Sequence, residues 1–97
     1  MTRVPFPWLA LPALREFVID RVRRMREAPD MWALTAEAFG MQLALLLELA
    51  TGLPANNCTP IVFGSDGCRV LVAHDQKLSD EWAQQRCDLV LARLGEG

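Results

Sequence analysis

Ile61-Val62-Phe63-Gly64-Ser65-Asp66-Gly67-Cys68-Arg69-Val70-Leu71-Val72-Ala73 is the stretch on which the fold turns. Two short runs rich in β-branched and aromatic side chains flank a four-residue Gly-Ser-Asp-Gly segment. That is the pattern of an antiparallel hairpin, with strands inside residues 61–73. Two strands alone are marginally stable in water, so the hairpin requires a helical layer or further strands against it.

Working outward, the neighbouring segments read as helices. After the hairpin, Ser79 is a suitable N-cap, and Asp80 and Glu81 favour the first turn of a helix spanning about 79–94, with Gly95 closing it. Before the hairpin, residues 51–60 carry Gly52, Pro54, Asn56, Asn57 and Pro60 and read as a loop. Asp30 and Gly52 bracket an apolar helix over 31–50. Its only charges, Glu37 and Glu48, lie on one side, with Met41 and Leu45 between them as a possible apolar contact strip. Pro12 suits the first position of a helix over 12–28, whose stripe is Leu14, Phe17, Val18, Val22 and Met25. Residues 1–11, with Pro5 and Pro7, read as a proline-rich arm rather than a signal sequence. The expected fold is therefore α+β: one domain, order α-α-β-β-α, with three helices on a two-stranded hairpin that extends across a dimer.

Composition narrows the function classes. The chain has 97 residues, 52% of them hydrophobic, and a net charge of −2. That excludes a disordered chain and a strongly basic nucleic-acid binder. A core this small hides little more than ~60% of the unfolded surface, so the apolar surplus points to subunit association. The longest uncharged run in the middle of the chain, residues 38–47, is about half the length a membrane span needs. Cys58, Cys68 and Cys87 form no C-x-x-C pair and read as free thiols of a cytoplasmic protein. No cofactor and no metal site is expected.

Three candidate sites emerge. On the last helix, Trp82, Arg86, Leu89 and Arg93 recur at steps of four, three and four, and Trp and Arg are enriched at interface hot spots. The alternative there is local: Trp82 covers the hairpin edge and Arg86 stacks on its ring. On the first helix, Arg21, Arg23, Arg24 and Arg26 form a basic run in which Arg23 and Arg26 could dock a partner. Asp20 and Glu27 partly neutralise it, and a nucleic-acid role for it is the alternative function. Finally, continuing the hairpin register outward from the Phe63–Cys68 pair brings Cys58 opposite Ala73 and beside His74, with Asp75 next to it. That arrangement is a weak thiol-enzyme candidate, since a catalytic thiolate needs an adjacent base. The functional expectation is a non-enzymatic interaction or regulatory protein, a homodimer that also binds an unidentified protein partner.

Overall fold

The computed structural model describes residues 6–64 and 76–95, with side chains described from Ala13 onward. Among the described residues four α-helices, α1 (Phe6–Glu27), α2 (Ala36–Thr51), α3 (Ala55–Phe63) and α4 (Asp80–Arg93), make an all-helical arrangement. Among the described residues the one extended pairing is a single antiparallel bridge, Thr35 to Lys77. The expected α+β fold is therefore overturned. The first strand of the expected hairpin, Ile61-Val62-Phe63, is the last turn of α3, and residues 68–73 lie outside the described residues.

The reason is visible in what the segment buries. Cys58, Val62 and Phe63 are buried on one side of α3, at helical spacing. Strand propensity measures how well a residue fits a half-buried pleated surface, so a helical burial pattern can override it. Pro54 precedes the helix, where its carbonyl accepts from the Asn57 and Cys58 amides. Pro60 lies inside and forgoes one backbone bond, a cost that burial of the apolar side must offset.

α2 also begins later than the expected residue 31. Pro29–Met31 form a single 3-10 turn, closed by Met31 and Trp32 amides on the Ala28 and Pro29 carbonyls. Asp30 is consequently not the cap. Thr35, in extended conformation, caps α2 instead, its Oγ1 accepting from the Ala38 amide at 3.2 Å. The short extended link is held from both sides by Ala36 N–H to Gln76 O and Leu78 N–H to Leu34 O. The expected stop holds: Gly52 takes a left-handed conformation, φ 79°, and donates to the Glu48 carbonyl at 2.8 Å.

α1 starts at Phe6, so residues 6–11 are helical rather than an arm. Pro7 falls in the first turn, where its missing N–H costs nothing. Val18, Ile19, Val22 and Met25 face the core. Phe17, assigned to the core stripe from its spacing, is about half exposed. α4 follows its sequence reading closely. The Ser79 Oγ accepts from the Trp82 amide, and Ala83, Cys87, Val90 and Leu94 are buried.

α2 is the central helix, packed against α1, α3 and α4. Its inner side presents Ala36, Phe39, Gly40, Leu43, Ala44, Leu46 and Leu47. Gly40 permits the closest approach. A Cβ built there would stand 2.4 Å from the Phe63 ring and 3.2 Å from Trp82.

Candidate interaction surface

The inner residues of α2 occupy a little under half of its circumference. At 100° per residue the rest of the helix must meet solvent or another molecule. On that outer side Met41, Leu45 and Leu49 are 41%, 52% and 48% exposed, one turn apart, with exposed Ala38 beside them. Glu37 and Glu48 bracket the strip on one edge. Glu37, Met41, Leu45 and Glu48 follow each other at steps of four, four and three, a single ridge along the helix. On the other edge Gln42 is fixed, its Nε2 donating to the Trp32 carbonyl at 2.8 Å. Single exposed apolar residues are ordinary, but a contiguous row on a central helix is a candidate contact surface.

A second apolar cluster borders α1. The Arg21 guanidinium lies between the Phe17 and Trp32 rings, 5.0 and 4.8 Å from their centroids. Nearby in sequence, Met31 and Leu34 are each more than three-quarters exposed. The sequence carries half of this signal, in the Phe17–Arg21 spacing of four. Trp32 closes the 3-10 turn Pro29–Met31, a segment whose sequence alone reads as the start of a helix.

The Trp82-Arg86-Leu89-Arg93 line is largely spent within the molecule. Trp82 packs on Phe63, ring centroids 6.1 Å apart and tilted 39°, and Arg86 stacks on Trp82 at 5.2 Å. The stacking matches the local alternative read from the sequence, although the surface Trp82 covers is α3 and Gly40, not a hairpin edge. The Arg86 Nε is buried and has no hydrogen-bond partner among the described residues. Leu89 is half-buried, which leaves Arg93 as the exposed member.

The basic run of α1 is engaged too. Arg26 holds Asp88 of α4 through two bonds, 2.6 Å from Nε and 3.1 Å from Nη2. Hydrogen bonding to Arg26 holds the Asp88 carboxyl below its ordinary range and raises the guanidinium in return. Arg24 pairs with Asp20 one turn away at 2.9 Å. Arg23 is exposed. Arg15 of α1 reaches the Leu94 carbonyl at the end of α4.

The thiol candidate does not assemble as read. Cys58 sits on α3 and not on an extended strand, so the register that set it beside His74 does not exist, and His74, Asp75 and Cys68 lie outside the described residues. The Cys58 side chain is buried near the Leu53 carbonyl, and burial, with Glu48 adding, pushes its thiol up. Cys87 is buried on α4, and burial followed by the Asp88 charge pushes it up to about 12. Both described thiols are therefore protonated and poor nucleophiles at neutral pH. No group of three or more potential metal ligands occurs among the described residues, and no described helix is long and apolar enough to cross a membrane. Neither a family model, nor a curated protein, nor a solved structure matches the chain.

Proposed function

We propose that the protein is a non-enzymatic interaction module that docks a helical partner on the outer face of α2. The observation that carries this reading is the row Met41, Leu45 and Leu49, each about half exposed on the helix around which the core is built. Water contact at such a row is unfavourable, at roughly 25 cal/mol for each Å² of apolar surface, and a partner's apolar side would relieve it. The ridge spacing of three and four residues suits a second helix laid alongside, the usual mode for an amphipathic helix. The alternative in which α1 docks nucleic acid is weakened by the Arg24–Asp20 and Arg26–Asp88 pairs, which occupy two of its guanidinium groups.

The test compares the wild type with Leu45→Glu and with Gln85→Glu, the latter an exposed control on α4. Self-association is followed by light scattering after size exclusion, and binding of an amphipathic Leu-rich helical peptide by fluorescence anisotropy. The reading expects at least one of these associations in the wild type, lost in Leu45→Glu and kept in Gln85→Glu. A wild type that neither self-associates nor binds, or a Leu45→Glu protein that behaves like it, refutes the proposal.

A further inference from the structure

The four helices are not equally tied together. α1, α2 and α4 each pack on both of the others, and α3 packs on α2 and α4. α4 is fastened to α1 by the Arg26–Asp88 pair and by Arg15 on the Leu94 carbonyl. The residues ahead of α4 are fastened to the start of α2 by the Ala36–Gln76 and Leu78–Leu34 backbone bonds. α3 has no such tie. Its sequence, Ala-Asn-Asn-Cys-Thr-Pro-Ile-Val-Phe, holds no charge. The Thr59 hydroxyl bonds back to the Ala55 carbonyl within the helix, and the Cys58 thiol reaches only the Leu53 carbonyl of the preceding link. Among the described residues, no α3 side chain makes a hydrogen bond or ion pair to another helix.

α3 is also weak in itself. It has 9 residues, fewer than the ~12–15 at which an isolated helix becomes even marginally stable. No side chain caps its start, and Pro60 cannot donate to the Asn56 carbonyl. Attachment therefore falls to the buried side chains Cys58, Val62 and Phe63. Phe63 is the anchor, its ring seated on Gly40 and against Trp82. The link from α2 begins at Gly52, which is exposed and left-handed, with no atom within 4 Å of where a Cβ would stand. The chain can change direction at that residue without displacing packed atoms.

We infer that α3 is a flap that opens as a unit about the Gly52–Pro54 link while α1, α2 and α4 keep their packing. Opening withdraws Phe63 and uncovers a groove floored by Gly40 and walled by Trp82, an apolar surface that the closed protein keeps from water. Elements with few buried side chains open in this way, below the global unfolding transition. The inference does not depend on what docks on the outer face of α2. Two buried thiols report on it, Cys58 on the flap and Cys87 on the body.

The test is thiol labelling of the full chain in a Cys68→Ser background, read separately at Cys58 and Cys87 by mass spectrometry. Each rate is divided by that of the same thiol in the denatured chain, at reagent concentrations where rate scales with reagent. Both thiols stay far below their denatured rates in buffer, and Cys58 is expected to label at least about tenfold faster than Cys87. Low urea should barely change the Cys58 rate, because opening α3 exposes little surface. The Cys87 rate should climb steeply, because it requires global unfolding. Two variants, with helicity checked by circular dichroism, separate the states. Phe63→Leu weakens a contact absent from both the open and the unfolded form, so it should accelerate both thiols. Ile19→Val weakens a buried contact of α1 that the open form retains. It should accelerate Cys87 about threefold and leave Cys58 unchanged. One rate and one urea dependence shared by both thiols would overturn the flap. So would an Ile19→Val effect equal at both, or a Cys58 rate unmoved by Phe63→Leu.

Discussion

Replacing Gly40 by alanine sets two opposed effects against each other. In a solvent-exposed helix the change stabilises by about 0.5–1 kcal/mol, because glycine loses more backbone freedom on folding than alanine. Gly40, however, is buried, and the added Cβ would lie 2.4 and 2.5 Å from the Cζ and Cε1 atoms of Phe63. That is more than 1 Å inside the ~3.5–4.0 Å optimum for carbon contacts. Phe63 is itself buried and packed on Trp82, so its ring has little room to withdraw. Overpacking of this kind costs about 1–3 kcal/mol. The net expectation is a loss of about 1 kcal/mol, or roughly 4–8 °C in Tm for a domain of this size. Urea and thermal unfolding followed by circular dichroism and tryptophan fluorescence would measure it. Adding Phe63→Leu should relieve the clash, so the double variant should lose less than the two single losses combined, a coupling expected in residues that touch. A Gly40→Ala protein that gains stability as an exposed site would, with no coupling to Phe63, refute the packing of α3 on α2.

Four further outcomes follow from named contacts. Thr35→Ala should lower stability by about 1 kcal/mol in urea titrations, because it removes the cap of α2, while Asp30→Ala should cost much less; equal losses would contradict the assignment of the cap. The Cys87 thiol is raised from near 9 to about 12, so the fold favours its protonated form. The resulting stability is fully present below pH 9 and is lost as pH rises toward 12, and the urea midpoint should fall more steeply over that window in the wild type than in Cys87→Val. Asp88 is shifted the opposite way by its bond to Arg26, so its contribution is present above its ordinary value of 3.8 and is lost as acid protonates it; Asp88→Asn should lower the midpoint at neutral pH, with the difference shrinking at high salt. In a Cys68→Ser background, a thiol reagent should label Cys58 and Cys87 slowly in buffer and rapidly in denaturant, and fast labelling of either in buffer would contradict their burial.

The parts of the fold legible in the sequence are those set by local chemistry. Ser79 at the start of α4, Gly52 at the end of α2 and the Ala83-Cys87-Val90-Leu94 stripe each follow from capping or from helical spacing, and each stands where the sequence put it. The errors arise where tertiary contact overrides a local signal. Ile61-Val62-Phe63 has the composition of a strand, and only the burial of Cys58, Val62 and Phe63 together on α2 and α4 makes it helical. Asp30 has the chemistry of a cap, but the 3-10 turn after Pro29 and the Thr35–Lys77 bridge move the start of α2 to Ala36. Of the docking face, Met41 and Leu45 were legible from their place between the two glutamates, whereas Leu49 emerges once the neighbours of α2 are known. The Trp82 line was ambiguous by nature, because the side chains that make hot spots are also the ones that cover a small core.

Docking of a partner on the outer face of α2 is read out by mapping backbone amide shifts while an amphipathic Leu-rich helical peptide is titrated in. The largest shifts are expected at residues 37–49, around Met41, Leu45 and Leu49. Shifts centred instead on Arg21–Arg26 of α1 or on the Trp82–Arg93 line of α4 would contradict it.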